Sequence, residues 1–177
     1  MTETATDNGP NALDEGLRLF AERQVERAHE AFRRAHRKAV NDPRAMSWYG
    51  VTLVLVERNS NLGISLCDRA VRLNGPSAEL VLNQARVHLA LNQRERAYKA
   101  VQRGMGLWPD DVQLRWAQEA MGWRRRPVIP FLGRRNVLNK YLGKLRHKWR
   151  KHRSPPPEMN PVTLGSPPHE GAELPRS

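Results

Sequence analysis

The fold of this chain is decided by residues 97–109, AYKAVQRGMGLWP, in which small and bulky side chains follow a helical spacing. Ala97, Val101 and Gly104 stand at relative positions 0, +4 and +7, and Pro109 closes the run. Small residues stacked on one helix face let a second backbone approach, while the bulky residue between them fills the remaining space. The stretch therefore predicts the second helix of a closely packed helical hairpin.

The same spacing occurs twice more upstream. The earlier triplets are Ala28, Phe32, Ala35 and Gly63, Cys67, Ala70. Successive triplets are separated by about 34 residues, and prolines recur at nearly the same interval from Pro10 to Pro109. A period of this length is typical of stacked hairpins, because one short hairpin cannot bury its own apolar face. The period predicts an all-α fold and favours a binding scaffold over an enzyme.

On these residues the chain resembles the tetratricopeptide (TPR) repeat family, whose unit is a pair of antiparallel helices. The three units cover residues 10–43, 44–76 and 77–110 and carry Gly16, Gly50 and Ala85 in their first helices. The resemblance implies a right-handed superhelical stack of about three TPR-like helical hairpins plus C-terminal capping helices. It also implies a non-enzymatic adaptor or scaffold that binds a protein or peptide partner.

In proteins of this family the first helices of the repeats line a concave groove. Aligning on the repeats places ten residues there: Leu13, Leu17, Phe20, Ser47, Val51, Val54, Glu79, Leu82, Arg86 and Leu89. Such a mostly apolar groove suits an amphipathic helix or an extended apolar peptide. The alternative, that several of these residues are core between repeats, is equally open. Some members bind a C-terminal carboxylate with a Lys/Asn/Arg clamp, and of those residue types only Asn83 and Arg86 lie near the groove, so that activity is not implied.

Local signals mark several helix boundaries. Asn11, Ser77 and either Asp110 or Asp111 are predicted N-caps of the first, fifth and seventh helices. The first unit has three additional residues before Pro43, which predicts an extra turn of its second helix through residues 38–40.

Composition adds limits on compartment and chemistry. One cysteine among 177 residues cannot form an internal disulfide, and the N-terminus lacks the basic start and apolar stretch of a secretory signal. No run approaches the ~18 apolar residues of a membrane span. We therefore expect a cytoplasmic protein with no transmembrane segment. No residue pattern predicts a catalytic site, a cofactor or a bound metal; Cys67 is expected to act as a small hydrophobe.

The positive charge is concentrated in one segment. The chain carries 30 Lys+Arg against 18 Asp+Glu, and residues 124–153 contain twelve of the basic residues and no acidic one. The remainder of the chain is therefore neutral. The candidate contacts of this basic segment are Arg124, Arg125, Arg126, Arg134, Arg135, Lys140, Lys144, Lys148, Arg150 and Lys151. Localised charge of this kind is typical of a specific electrostatic function.

The basic segment combines an extended strap with a helix. Pro127 and Pro130 exclude a helix over residues 126–133, whereas apolar residues from Leu138 to Trp149 recur at helical steps beside a lysine stripe. Three interpretations stay open: the helix caps the last repeat, its basic face binds nucleic acid, or it lies on an anionic membrane surface or in a partner's groove. A nucleic-acid-associated protein that binds through 124–153 is therefore the alternative function.

The chain divides by composition into four parts. We expect a disordered tail over residues 1–9, a TPR-like repeat domain with a capping helix over 10–123, the basic segment over 124–153, and a Pro-rich disordered tail over 154–177. Because an apolar groove and an apolar strap occur in one chain, we also predict that residues 127–149 dock intramolecularly, as a permanent cap or a displaceable pseudo-ligand.

Overall fold

The computed structural model describes residues 11–121 and 159–166. Residues 11–121 form seven helices: α1 (Ala12–Ala21), α2 (Val25–Lys38), α3 (Pro43–Val56), α4 (Ser60–Asn74), α5 (Ala78–Ala90), α6 (Arg94–Leu107) and α7 (Val112–Ala120). Neither described range contains a strand. The predicted all-α class is therefore confirmed for this part of the chain.

Polar side chains begin α1, α5 and α7 where the sequence predicts. Asn11, Ser77 and Asp111 accept hydrogen bonds from the backbone N–H groups of Leu13 (3.4 Å), Leu80 (3.3 Å) and Leu114 (2.9 Å), respectively. Each bond satisfies a donor that has no partner inside its helix. Of the two candidates for α7, the cap is Asp111.

The connection between α2 and α3 differs from its prediction. The helix α2 ends at Lys38, so the extra turn expected through residues 38–40 is wrong. The helix α3 begins with Pro43 at its first position, and Asp42 caps it. Residues 39–42 are therefore needed to reverse the chain, because the residue before a proline disfavours helical geometry.

The three helical hairpins are closed by a repeated turn conformation. Arg23, Arg58 and Asn92 have φ angles of 63°, 58° and 58°, and each lies in the connection between the two helices of a hairpin. These positions recur at the same interval of about 34 residues as the sequence triplets. The left-handed region is uncommon for residues other than glycine, so its recurrence at this interval is independent support for an internal repeat.

Glycines permit close contact between the two helices of the second hairpin. A Cβ atom on Gly63 of α4 would overlap Val54 Cγ2 and lie 2.7 Å from the Gly50 carbonyl oxygen of α3. A Cβ on Gly50 would in turn lie 2.9 Å from the Gly63 carbonyl oxygen. The predicted close approach of α3 and α4 is therefore present, because neither backbone tolerates a side chain at this crossing.

The helices pack in chain order around three apolar clusters. Each hairpin packs internally, α2 contacts α3, α5 contacts both α3 and α4, and α7 covers α6 and part of α5. All nine residues of the three sequence triplets are buried. The last apolar cluster, built by α5, α6 and α7, also includes Leu164 from the second described range.

Candidate peptide-binding site

Residues 159–166, here called the tail segment, pack against the helices. Leu164 is only 1% exposed and belongs to the apolar cluster of α5, α6 and α7. Met159 packs against the same cluster, and Val162 packs against the cluster built mainly by α1, α2 and α3. The prediction of a disordered tail over 154–177 is therefore wrong for residues 159–166. Leu164 is buried on an existing surface, and Met159 and Val162 are partly buried there, so the segment needs no core of its own.

The tail segment folds into consecutive turns. The Val162 N–H donates to Asn160 Oδ1 at 2.9 Å, and the Ser166 N–H donates to the Thr163 carbonyl oxygen at 3.0 Å. Gly165 lies inside the second turn, between Thr163 and Ser166, and has a φ angle of 81°, which L-amino acids rarely adopt. These local bonds satisfy part of the backbone of a segment that belongs to neither a helix nor a sheet.

Gly165 also lies where a Cβ atom would be crowded. A Cβ atom at this position would lie 2.6 Å from Leu82 Cδ2 of α5 and 3.3 Å from the Gln113 carbonyl oxygen of α7. The backbone angle therefore favours glycine, and the limited space adds to this preference. The Leu164–Gly165 pair is the part of the tail segment most closely fitted to the helices.

Arg86 of α5 provides the polar contact to the tail segment. Its guanidinium donates to the Leu164 carbonyl oxygen at 2.8 Å and to Asn83 Oδ1 at 2.7 Å. The residue is only 6% exposed, and its Nε has no hydrogen-bond partner among the described residues. Burial lowers the pKa of Arg86 from 12.5 to about 10, although the charge of Glu79 opposes this shift. The side chain therefore carries a positive charge at neutral pH while facing neutral acceptors.

Aromatic rings support the buried guanidinium. Its Cζ lies 4.7 Å from the ring centroid of Trp48 on α3 and 5.9 Å from that of Phe20 on α1. Trp48 in turn stacks on Phe32 at 5.4 Å and meets Phe20 edge-on at 5.0 Å. The electron-rich faces of aromatic rings attract a cation, so Arg86 is stabilised without a carboxylate partner.

A hydrogen-bond network fixes the orientation of these groups. Asn83 Nδ2 donates to Ser47 Oγ at 3.0 Å, which leaves its Oδ1 to accept from Arg86. Glu79 accepts from Trp48 Nε1 at 2.7 Å and from Arg44 Nε at 2.8 Å. The network joins α3 to α5, and Arg86 links it to the tail segment. It holds the Trp48 ring and the Asn83 amide in the positions that Arg86 requires.

We call the surface around Arg86, Leu82, Trp48, Phe20 and Gln113 the tail-binding surface. It is built from α1, α3, α5 and α7. Leu82, Arg86 and Phe20 are among the ten predicted groove residues, and Ser47 and Glu79 belong to the network behind it. Trp48, Asn83 and Gln113 were not among the predicted groove residues.

The other predicted groove residues lie mostly in the apolar interior. Leu13, Val51, Val54 and Leu89 are buried, and Leu17 is half-buried beside them. Val54 packs against Gly63 of α4 and so lies between the two helices of its own hairpin. Val54 is therefore core within one hairpin, which is neither the predicted groove position nor core between repeats.

All ten candidate contacts of the basic segment, from Arg124 to Lys151, lie outside the described residues. The predicted docking of residues 127–149 lies there too, and the tail segment that packs on the helices comes later in the chain. Only a weak sequence signal indicates that the tail segment packs on the helices: Met159, Val162 and Leu164 are apolar residues spaced among prolines.

Within residues 11–121 and 159–166, no group of three or more His, Cys, Asp or Glu side chains is arranged to hold a metal ion. None of the seven helices in these ranges is long and apolar enough to cross a membrane. No protein-family model and no curated protein matches this chain.

Proposed function

We propose that this protein is a non-enzymatic adaptor, built from TPR-like helical hairpins, that binds a short peptide segment of a partner protein at the tail-binding surface. The observation that carries this proposal is the docking of residues 159–166 at that surface. A segment distant in sequence from α7 is bound there through a buried leucine and a backbone carbonyl. Peptide-binding domains use this combination of an apolar pocket and main-chain hydrogen bonds.

The free energies that these contacts contribute are suited to reversible binding. Burying one leucine side chain contributes about 1.5–3 kcal/mol, and a hydrogen bond from a charged donor contributes about 1.5–3 kcal/mol. Ordering the peptide and losing its free motion oppose this gain. The surface therefore suits an interaction that forms and dissociates readily, as an adaptor requires.

The hairpin repeat supports the same proposal. Left-handed turn residues recur at intervals of about 34 residues, which matches the unit length that the TPR resemblance implies. In this arrangement Phe20, Trp48 and Arg86 come from the first helices of three successive hairpins. A surface shared between units depends on their stacking, and this accounts for the use of several hairpins to bind one short segment.

The basic segment 124–153 keeps its proposed role of capping or localising the adaptor. The alternative function, binding of nucleic acid or an anionic membrane through that segment, differs in its salt dependence. Phosphate neutralisation makes affinity fall steeply as salt rises, whereas burial of a leucine does not. A protein partner whose binding survives nuclease and raised salt favours the adaptor.

Selection of random peptides tests the adaptor function without assuming a ligand. The full-length chain with Leu164→Asp, in which a charge opposes docking of the tail segment, is immobilised and exposed to a displayed library of short random peptides. We expect a common sequence to be enriched, and its binding to be lost when Leu82→Asp or Arg86→Ala is added. Enrichment that is indifferent to both substitutions, or no enrichment at all, would refute the proposal.

A further inference from the structure

We propose that the partner of the tail-binding surface presents an apolar-x-Leu-Gly turn, and that the tail segment competes with it for that surface. This inference rests on the proposed peptide-binding function and adds its specificity and its regulation. The pattern is that of Val162, Thr163, Leu164 and Gly165, which belong to the segment that occupies the surface. The partner is therefore a protein segment of the same chemistry, supplied by another molecule.

The leucine is selected by the apolar cluster that encloses it. Leu164 is buried among residues of three helices, including Leu82, Leu114 and Ala117. A polar or charged side chain at this point would lose its hydration without gaining a partner. Two positions earlier, Val162 packs against a different cluster, built mainly by α1, α2 and α3. The two apolar side chains therefore contact separate parts of the protein.

The glycine is selected by geometry. Its φ angle of 81° is one that L-amino acids rarely adopt, and a Cβ would lie 2.6 Å from Leu82 Cδ2, so a larger residue would strain the backbone and displace the Leu82 side chain. The nearby Gln113 carbonyl oxygen belongs to the backbone and cannot rotate away, unlike the end of a flexible side chain. Discrimination by such a steric barrier rejects non-cognate segments even when they carry a suitable leucine.

Arg86 indicates that the surface is built to be occupied. The guanidinium is buried, lacks a partner at Nε and has no carboxylate within salt-bridge distance among the described residues. Without the Leu164 carbonyl it would lose one of its two acceptors. The donor freed in this way can bond another carbonyl oxygen, so the unoccupied surface offers a charge-assisted hydrogen bond to a new ligand.

The covalent connection makes the tail segment a strong competitor. Residues 122–158 join α7 to the tail segment, and a tethered ligand typically has an effective concentration on the order of millimolar. A free partner binds only in proportion to the fraction of molecules whose surface is open. Any modification or interaction that retains the tail segment elsewhere would therefore increase partner binding.

The test uses full-length chains and a fluorescent peptide of residues 159–166, MNPVTLGS, with blocked ends. The Leu164→Asp chain has a released tail segment. Ser166→Asp adds the same charge at an exposed position and is the matched control. In fluorescence anisotropy we expect the peptide to bind Leu164→Asp at least about tenfold more tightly than it binds the wild-type or Ser166→Asp chain.

Peptide variants test the specificity on the same Leu164→Asp chain. A peptide with Gly165→Ala should bind at least about tenfold more weakly than the original, because alanine rarely adopts a φ of 81° and its Cβ would press against Leu82 of α5. A peptide with Ser166→Ala should bind as the original does. A full-length chain with Gly165→Val provides a second released tail segment if Leu164→Asp disturbs folding, which circular dichroism and the melting temperature report.

The outcomes separate the two proposals. If the original peptide binds neither folded released chain, peptide binding at this surface is itself refuted. If it binds the released and wild-type chains equally, the tail segment is not a competitor. Equal binding of the Gly165→Ala peptide overturns the Leu-Gly specificity but leaves the adaptor function intact. Tail-dependent dimerisation of the wild-type chain in light scattering would make a second copy the occupant and overturn the inference.

Discussion

The guanidinium of Arg86 donates a 2.8 Å hydrogen bond to the carbonyl oxygen of Leu164, a residue 78 positions later in the chain. This hydrogen bond joins α5 to the tail segment, which follows the basic segment in the chain. The same arginine lies over Trp48, which α3 contributes. One side chain therefore couples the stacking of two hairpins to the docking of the tail segment.

Loss of Arg86 is expected to release the tail segment. A hydrogen bond from a charged donor contributes about 1.5–3 kcal/mol, so Arg86→Ala should speed hydrogen exchange in residues 159–166 by roughly 10- to 100-fold. Exchange detected by mass spectrometry measures this directly. Arg34→Ala removes an exposed ion pair with Glu15 and is the control, for which no change is expected in that segment. Unchanged protection in Arg86→Ala would mean that the hydrogen bond does not hold the segment.

Two glycine substitutions should have opposite effects on stability. Gly63→Ala places a Cβ against Val54 and the Gly50 backbone and should lower the free energy of unfolding by about 1–3 kcal/mol. Gly106 lies in α6, and no atom comes within 4 Å of the place where its Cβ would lie, so Gly106→Ala should raise that free energy by up to about 1 kcal/mol. Urea denaturation measures both. Equal changes in the free energy of unfolding of the two variants would contradict the close contact between α3 and α4.

The thiol of Cys67 should be unreactive in the folded protein. Only 1% of the residue is exposed, its Sγ donates to the Ser47 carbonyl oxygen, and burial raises its pKa well above the usual value. Because the thiolate is the reactive species, a thiol reagent should label Cys67 only when the chain unfolds. Leu62→Cys, at a position 45% exposed, should label rapidly and serves as the control. Fast labelling of wild-type Cys67 under native conditions would contradict its burial.

Stability should decrease on acidification through a contribution from His36. Burial lowers the pKa of His36 below 6.5, the nearby Arg69 adds to this effect and Asp42 opposes it, while the ring stacks on Tyr49. The unfolded state therefore binds a proton more readily than the folded state just below pH 6.5, and stability falls as the pH is lowered through this range. His36→Gln should flatten this part of the pH profile of the melting temperature. An identical profile in the variant would contradict the assignment.

The sequence predicted the helical part of this protein well because its signals are local or periodic. The Asn11 and Ser77 caps act within three residues, and the Ala97–Val101–Gly104 spacing reports one helix face. The prediction failed where two consecutive helices compete for the same few residues. The extra turn of α2 is absent because the start of α3 at Pro43 requires residues 39–42 for chain reversal.

By itself, then, the sequence determined the all-α class, the hairpin interval and the small residues at helix contacts, since these depend on spacing along one chain. It also singled out Leu82 and Arg86. Only the tertiary structure decided that Arg86 is buried on Trp48 and that Leu164 lies beside it. A polar residue on a helix and a leucine among prolines have no local signature of contact. Their pairing depends on how three hairpins stack, because the surface that binds the tail segment exists only after they have done so.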